Sequence, residues 1–185
     1  MLSQTAVLVL LDASPLCRFA QCSLLDRLRG YLDERARITR EVERELVRLS
    51  ARPPFTSLAD HLVAGGAAAK RGTWPKCTKP LPDSLKPDFA NLLALKRALG
   101  EHEWTHAGEI ATVLMAEHRS ADLVLIDDRW GVSLARGRSL QVMSTARLAQ
   151  EMVTTGELTK GDGYRVFDAA TPVGVGRDRF EAGLA

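Results

Sequence analysis

THAGEIATVLMAEHRSADLVLIDDRWGVSLARGRSLQVMST, residues 105–145, is the stretch that decides the fold of this chain. Its spacing predicts a helix over 105–118 and a strand over 123–126, followed by a short helix over 129–136 and a strand over 140–143. The apolar run at 123–126 is typical of a strand that is covered on both faces in a parallel sheet. Helices and strands that alternate in this way predict an α/β domain.

The N-terminal part of the chain repeats this pattern. Residues 6–11 form a second continuous apolar run, and Asp12 or Ser14 can cap the helix that follows it. A short strand at 36–39 precedes a further amphipathic helix. We therefore expect a three-layer α/β/α sandwich with a central, mainly parallel sheet of four to five strands. The strand at 6–11 should be central and lie beside the strand at 123–126.

The composition is that of an ordinary folded protein. Hydrophobic residues make up 45% of the chain, charged residues 26%, and the formal net charge is +2. These values exclude a disordered chain, a collagen-like repeat and a coiled-coil rod. Three cysteines without a CxxC pair favour free thiols in a reducing compartment. The opening apolar run is too short for a membrane span and no basic residues precede it, so we expect a cytoplasmic protein that does not bind a membrane.

One segment, residues 51–87, departs from the α/β pattern. It holds six of the eight prolines, and we interpret it as a Pro-rich basic insertion with a short helix near 58–64. A solvated connector is the simpler interpretation, but a basic loop can also contact phosphate groups. On the second interpretation, the substrate-binding residues in this segment are Lys70, Arg71 and Lys76.

The C-terminal segment, residues 156–185, is rich in glycine and is interpreted as an extension that packs on or beside the main domain, residues 1–155. Residues 164–167 contain β-branched and aromatic side chains, which predict an edge strand.

Acidic residues collect at one end of the predicted sheet. Asp12 follows the first apolar strand, Asp127 and Asp128 follow the second, and Glu45 and Glu109 lie in neighbouring helices. Open parallel sheets bind ligands beyond the carboxyl ends of their strands. Each acid alone has an ordinary explanation as a helix cap, a charge at a helix N-terminus, an ion-pair partner or a turn residue. Together they favour a hard divalent cation, Mg²⁺ or Mn²⁺, which takes oxygen ligands.

Three stretches resemble the PIN-domain ribonucleases, particularly the VapC-like toxins and their relatives. LVLLDASPLCRFA (8–20) resembles the first strand of that family, with its Asp and a following small hydroxyl residue. ITREVERELVRL (38–49) resembles the second motif, and residues 108–145 resemble the longest and most specific one. The similarity covers residues 5–50 and 105–155, about half of the chain.

The resemblance implies a metal-dependent ribonuclease that hydrolyses RNA phosphodiester bonds with Mg²⁺ or Mn²⁺. The residues that match the catalytic carboxylates of the family are Asp12, Glu45, Glu109 and Asp128. The implied metal ligands are Asp12, Glu109 and Asp128, with Asp127 supporting or sharing the role of Asp128. Ser14 and Thr145 match hydroxyl groups that line the site, and Arg129, next to Asp128, is a candidate substrate contact.

The resemblance also implies partners for the chain. Toxins of this type are usually silenced by a protein antitoxin, which inserts a basic segment among the carboxylates, and they tend to form homodimers. The expected substrate is single-stranded or looped RNA.

Two alternatives remain open. His102, Glu103 and His106 form an H-E-x-x-H sequence, which on one helix would bind Zn²⁺ in a metallopeptidase. Glycines on both sides of the motif, and Thr105 as a natural helix cap inside it, disfavour that helix. The second alternative is a catalytically inactive PIN-fold binding module. A receiver domain is disfavoured because its acidic pair would come early in the chain.

Overall fold

The computed structural model describes residues 8–62, 74–100, 106–170 and 177–184. Strands β1 to β5 in these parts of the chain are Val9–Leu11, Ala36–Ile38, Lys76–Cys77, Leu123–Leu125 and Val142–Met143. Helices α1 to α10 are Ala13–Gln21, Leu25–Leu32, Arg40–Ser50, Ser57–Leu62, Lys86–Ala98, Ala107–His118, Arg129–Gly137, Thr145–Thr154, Lys160–Ala170 and Arg177–Ala182.

The five strands form one parallel sheet in the order β3-β2-β1-β4-β5. Strand β1 is central, and its Leu10 pairs with Arg37 of β2 on one side and with Val124 of β4 on the other. The chain adds β2 and β3 to one side of β1, and β4 and β5 to the other. The direction of winding therefore reverses between β1 and β4, where open α/β sheets bind ligands.

Both faces of the sheet are covered, which confirms the predicted α/β/α sandwich. Leu11 and Leu125 lie in a core cluster with α1, α3 and α8. Leu10 and Val124 lie on the opposite face and pack against Met115 of α6. Because successive side chains of a strand point to opposite faces, a strand between two helical layers must be apolar throughout. This requirement explains why the two apolar runs predicted the centre of the sheet.

The Pro-rich segment contributes to the sheet, which the sequence did not predict. Its residues Lys76 and Cys77 form the edge strand β3 and pair with Arg37 and Ile38 of β2. Two residues are too few to carry a pattern of alternating polarity. The helix expected near 58–64 is present as α4.

The edge strand predicted at 164–167 is wrong, because these residues belong to α9. Thr159 Oγ1 accepts a hydrogen bond from the Asp162 amide at 3.1 Å at the start of this helix. Val166 is fully buried, and the ring of Phe167 lies 4.8 Å from that of Phe180 in α10. Packing against α1 and α8 therefore outweighs the β preference of the local sequence.

The longest of the described helices, α5, has 13 residues. None of the described helices is both long enough and apolar enough to cross a bilayer.

Candidate metal centre

Asp12 lies immediately after β1, at the carboxyl end of the central strand. Its amide donates a hydrogen bond to the Leu125 carbonyl at 2.9 Å, which holds it against the end of β4. Its side chain caps α1 and accepts hydrogen bonds from the Ser14 amide at 3.3 Å and the Ser14 hydroxyl at 2.8 Å. Asp12 is only 3% exposed. The hydroxyl that the sequence indicated at Ser14 thus fixes the orientation of this carboxyl group.

Asp127 and Asp128 follow β4 and have different partners. Both oxygens of Asp127 accept hydrogen bonds from Thr145, one from the amide and one from the hydroxyl, each at 2.7 Å. Asp128 instead caps α7 and accepts a hydrogen bond from the Gly131 amide at 2.8 Å. This bond uses only one of the two Asp128 oxygens. Asp128 also lies close to His106 and Glu109, whose side chains could bind a metal ion. This difference favours Asp128 over Asp127 as a direct ligand.

Glu109 lies in the first turn of α6, next to Asp128. His106 precedes this helix, and its Nδ1 forms a hydrogen bond with Glu109 Oε2. One ligand atom from each of His106, Glu109 and Asp128 lies within 4.8 Å of the others. The side chains of His106 and Glu109 are 10% and 13% exposed. The three residues therefore form a compact and largely buried group of potential metal ligands.

Glu45 reaches the same end of the sheet from α3. A Cβ atom at Gly108 would lie 3.1 Å from Glu45 Oε2 and 3.5 Å from Asp12 Oδ1. The first turn of α6 therefore passes closely over both carboxyl groups, and the glycine leaves them room. A cavity of about 510 Å³ begins at this point and runs between α3 and the start of α6.

The carboxyl groups destabilise one another's charged forms. Burial, and then the charge of Asp12, raises the pKa of Glu45 to about 7. Burial and Asp12 also raise the pKa of Glu109 to about 7, although the hydrogen bond from His106 opposes this shift. Burial raises the pKa of Asp12 despite the hydrogen bonds from Ser14. A cation among these groups would offset their repulsion and restore the carboxylate forms.

The structure brings Asp12, Glu45, Glu109 and Asp128 to one end of the sheet, as the resemblance implied. Arg129 follows Asp128 directly and is exposed. Lys76 lies on the edge strand β3 and forms an ion pair with Glu34, so the structure does not bring it to the carboxyl groups. Lys70 and Arg71 lie outside the described residues.

His106 was considered in the sequence only as part of the H-E-x-x-H motif. His102 and Glu103 lie outside the described residues, and His106 lies directly before α6, which begins at Ala107. The H-x-x-E spacing could have predicted the contact between His106 and Glu109, because residues three apart lie next to each other at the start of a helix. The aromatic ring of Trp130 lies 5.7 Å from that of His106, and Lys96 Nζ lies 4.8 Å from the centre of the Trp130 ring.

The chain matches no family model, no curated protein and no solved structure. The function must therefore be inferred from the chemistry of the site.

Proposed function

We propose that this chain is a metal-dependent ribonuclease that hydrolyses RNA phosphodiester bonds at the carboxyl ends of β1 and β4. The observation that carries the proposal is the burial of several mutually repelling carboxyl groups at the point where the winding of the sheet reverses. Burying like charges together costs free energy, and a divalent cation offsets that cost.

The donor atoms fit Mg²⁺ or Mn²⁺. Asp12, Glu109 and Asp128 offer carboxylate oxygens, which are the ligands that these ions prefer. When bound, such an ion lowers the pKa of a water molecule and offsets negative charge on the phosphate. Without it, the anionic substrate would be repelled by the acids of the site.

The other residues of the site orient these ligands and move protons. Ser14 holds the carboxyl group of Asp12, and Thr145 holds that of Asp127. Burial and Asp12 raise the pKa of Glu45 to about 7 in the metal-free site. A bound cation would lower that pKa, and the Glu45 carboxylate could then accept a proton from the attacking water, as general base catalysis requires. Arg129 is exposed beside the site and can contact a phosphate of the RNA backbone.

RNA is the proposed substrate, and a toxin of a toxin–antitoxin pair is the proposed biological role, because the motifs resemble those of VapC-like toxins. A protein antitoxin would place a basic segment at the carboxyl groups of the site, where its cations replace the charge of the metal. A homodimer and a cytoplasmic location belong to the same proposal. The test is expression of the chain alone and together with the product of the neighbouring small gene. A chain that is harmless alone and recovers no such partner would contradict the toxin role.

Activity is tested by incubating the purified protein with single-stranded RNA in Mg²⁺, in Mn²⁺ and in EDTA. We expect cleavage only with a divalent ion, and we expect Asp12→Asn to lower the rate about 10²- to 10³-fold or more. Asp26→Asn is the matched control, because Asp26 is an exposed acid in the first turn of α2. Full cleavage in EDTA or by Asp12→Asn would contradict the proposed mechanism. Metal binding without cleavage of any RNA would instead favour the inactive binding module.

A further inference from the structure

His106 differs from the other residues at the site because it offers a nitrogen atom among oxygen ligands. It is 8% exposed and lies directly before α6, so its position is fixed by the fold. Its Nδ1 is directed at Glu109 Oε2, and the ring of Trp130 lies on another side of it. No other ligand-type nitrogen belongs to the metal-ligand group among the residues that the structure describes.

We propose that His106 is a direct ligand of the cation at this site, and that the site therefore binds Mn²⁺ in preference to Mg²⁺. The inference rests on the proposed metal-dependent function and adds to it a nitrogen ligand that the resemblance did not imply.

The distances support a shared ion. Metal–ligand bonds to nitrogen and oxygen are about 2.0–2.2 Å long, so two ligands of one ion lie at most about 4.4 Å apart. The atoms of His106, Glu109 and Asp128 lie within 4.8 Å of one another, which is no more than about 0.4 Å beyond the spacing that one shared ion requires.

The ligand type supports the preference for Mn²⁺. Mg²⁺ is a hard ion that selects oxygen ligands and retains its waters. Mn²⁺ shares the preference for carboxylates but is a first-row transition metal, so it accepts an imidazole nitrogen more readily than Mg²⁺ does. A neutral imidazole also lowers the negative charge of the ligand set compared with a further carboxylate. A site made of Glu109 and Asp128 with His106 is therefore better matched to Mn²⁺ than a site made of carboxylates alone.

The alternative role of His106 is that of a positioning residue, which donates a hydrogen bond from Nδ1 to Glu109 and does not touch the ion. The two roles predict different spectra. A directly bound imidazole couples its ¹⁴N nucleus to the electron spin of Mn²⁺, whereas a histidine that contacts only Glu109 gives no comparable coupling.

The experiment is pulsed EPR on the full chain with Mn²⁺ alone as the probe, combined with calorimetric titrations of Mn²⁺ and Mg²⁺. We expect ¹⁴N coupling in the wild type, its loss in His106→Gln, and its retention in His118→Gln, which alters the exposed histidine at the end of the same helix. His106→Gln should also lower the affinity for Mn²⁺ about tenfold or more, with a smaller change for Mg²⁺.

Each other outcome overturns the inference in a distinguishable way. Mn²⁺ that binds the wild type without ¹⁴N coupling assigns His106 to the positioning role and leaves the nuclease proposal standing. Coupling that persists in His106→Gln assigns the nitrogen to another histidine. Failure of the wild type to bind either ion would defeat the proposed metal-dependent function as well. The spectrum of the wild type decides the first case even if His106→Gln does not fold.

Discussion

Glu151 in α8 and Asp12 after β1 are both buried carboxyl groups, but their surroundings differ. Glu151 is 5% exposed and accepts a hydrogen bond at 3.1 Å from the hydroxyl of Tyr31 in α2. Asp12 also has a hydroxyl donor, Ser14, yet it lies among further acids whose charges oppose its own. The hydrogen bond from Tyr31 to Glu151 joins α2 to α8 and stabilises the fold. Acids that face one another cost stability, so the group after β1 and β4 is the candidate site for a ligand that offsets this cost.

The largest expected effect that tests this comparison is a dependence of stability on pH and metal. The pKa values of Glu45 and Glu109 are raised from 4.5 to about 7 in the folded chain, so the folded state binds protons more tightly than the unfolded state. Without metal, the free energy of unfolding should therefore fall as the pH rises from about 4.5 to 7, between the unfolded and folded pKa values. The expected fall is on the order of 3 kcal/mol for both groups, after allowance for solvent screening.

Urea unfolding in EDTA and in Mn²⁺ measures this effect. If the proposed site binds Mn²⁺ through the carboxylate forms of the folded state, the ion should remove or reverse the fall. A variant that carries both Glu45→Gln and Glu109→Gln is the control and should have a flatter profile. Equal or greater stability at pH 8 than at pH 5.5 in EDTA would contradict the electrostatic account of the site.

The next expected effect concerns the contrasting region, where Tyr31→Phe removes the donor to a buried acid. We expect a loss of about 2 kcal/mol in the free energy of unfolding, because Glu151 stays buried without that hydrogen bond. Tyr164→Phe is the matched control, since Tyr164 donates to Glu181 in an exposed position and should matter far less. Metal affinity should be the same in both variants and the wild type. A lowered metal affinity in Tyr31→Phe would show that the two regions are not independent.

The smallest expected effect is the loss of stability when the contact between α8 and α9, close to Glu151, is overpacked. A Cβ atom at Gly163 of α9 would lie 2.4 Å from Val153 Cγ2 of α8, which is too close for ordinary contact. Gly163→Ala should cost about 1 kcal/mol, because overpacking outweighs the better helix propensity of alanine. Gly137→Ala is the control, because nothing lies within 4 Å of the added atom there. Thermal unfolding measures both, and an equal or higher melting temperature for Gly163→Ala would contradict the close α8–α9 packing.

The sequence predicted the strands that are buried on both faces of the sheet. The runs that became β1 and β4 were found because no polar side chain is tolerated between two helical layers. Strand β3 was missed because its two residues are defined by pairing with β2 and not by their own pattern. The helix α9 was mistaken for a strand because the contacts that bury Val166 come from distant α1 and α8.

The same distinction applies to the site. The positions of Asp12, Asp127 and Asp128 at the carboxyl ends of β1 and β4 could be predicted because these residues follow apolar runs in the sequence. The separate roles of Asp127 and Asp128 could not, since they depend on Thr145, which lies 18 residues further along the chain. The position of Glu45 beside Gly108 depends on the packing of α3 against α6, which no local pattern reports.

The two hydrogen bonds between Asp127 and Thr145 also affect how the site can move. They join the loop after β4 to the first residue of α8, so these two segments are expected to move as one unit. The Thr145 amide belongs to the first turn of a helix, where such groups have no partner within the helix and exchange readily with water. Here that amide is held by a side chain from another loop, so its proton should exchange only when the loop and the helix separate. The hydrogen-exchange rate of the Thr145 amide therefore reports how often the loop after β4 separates from the start of α8.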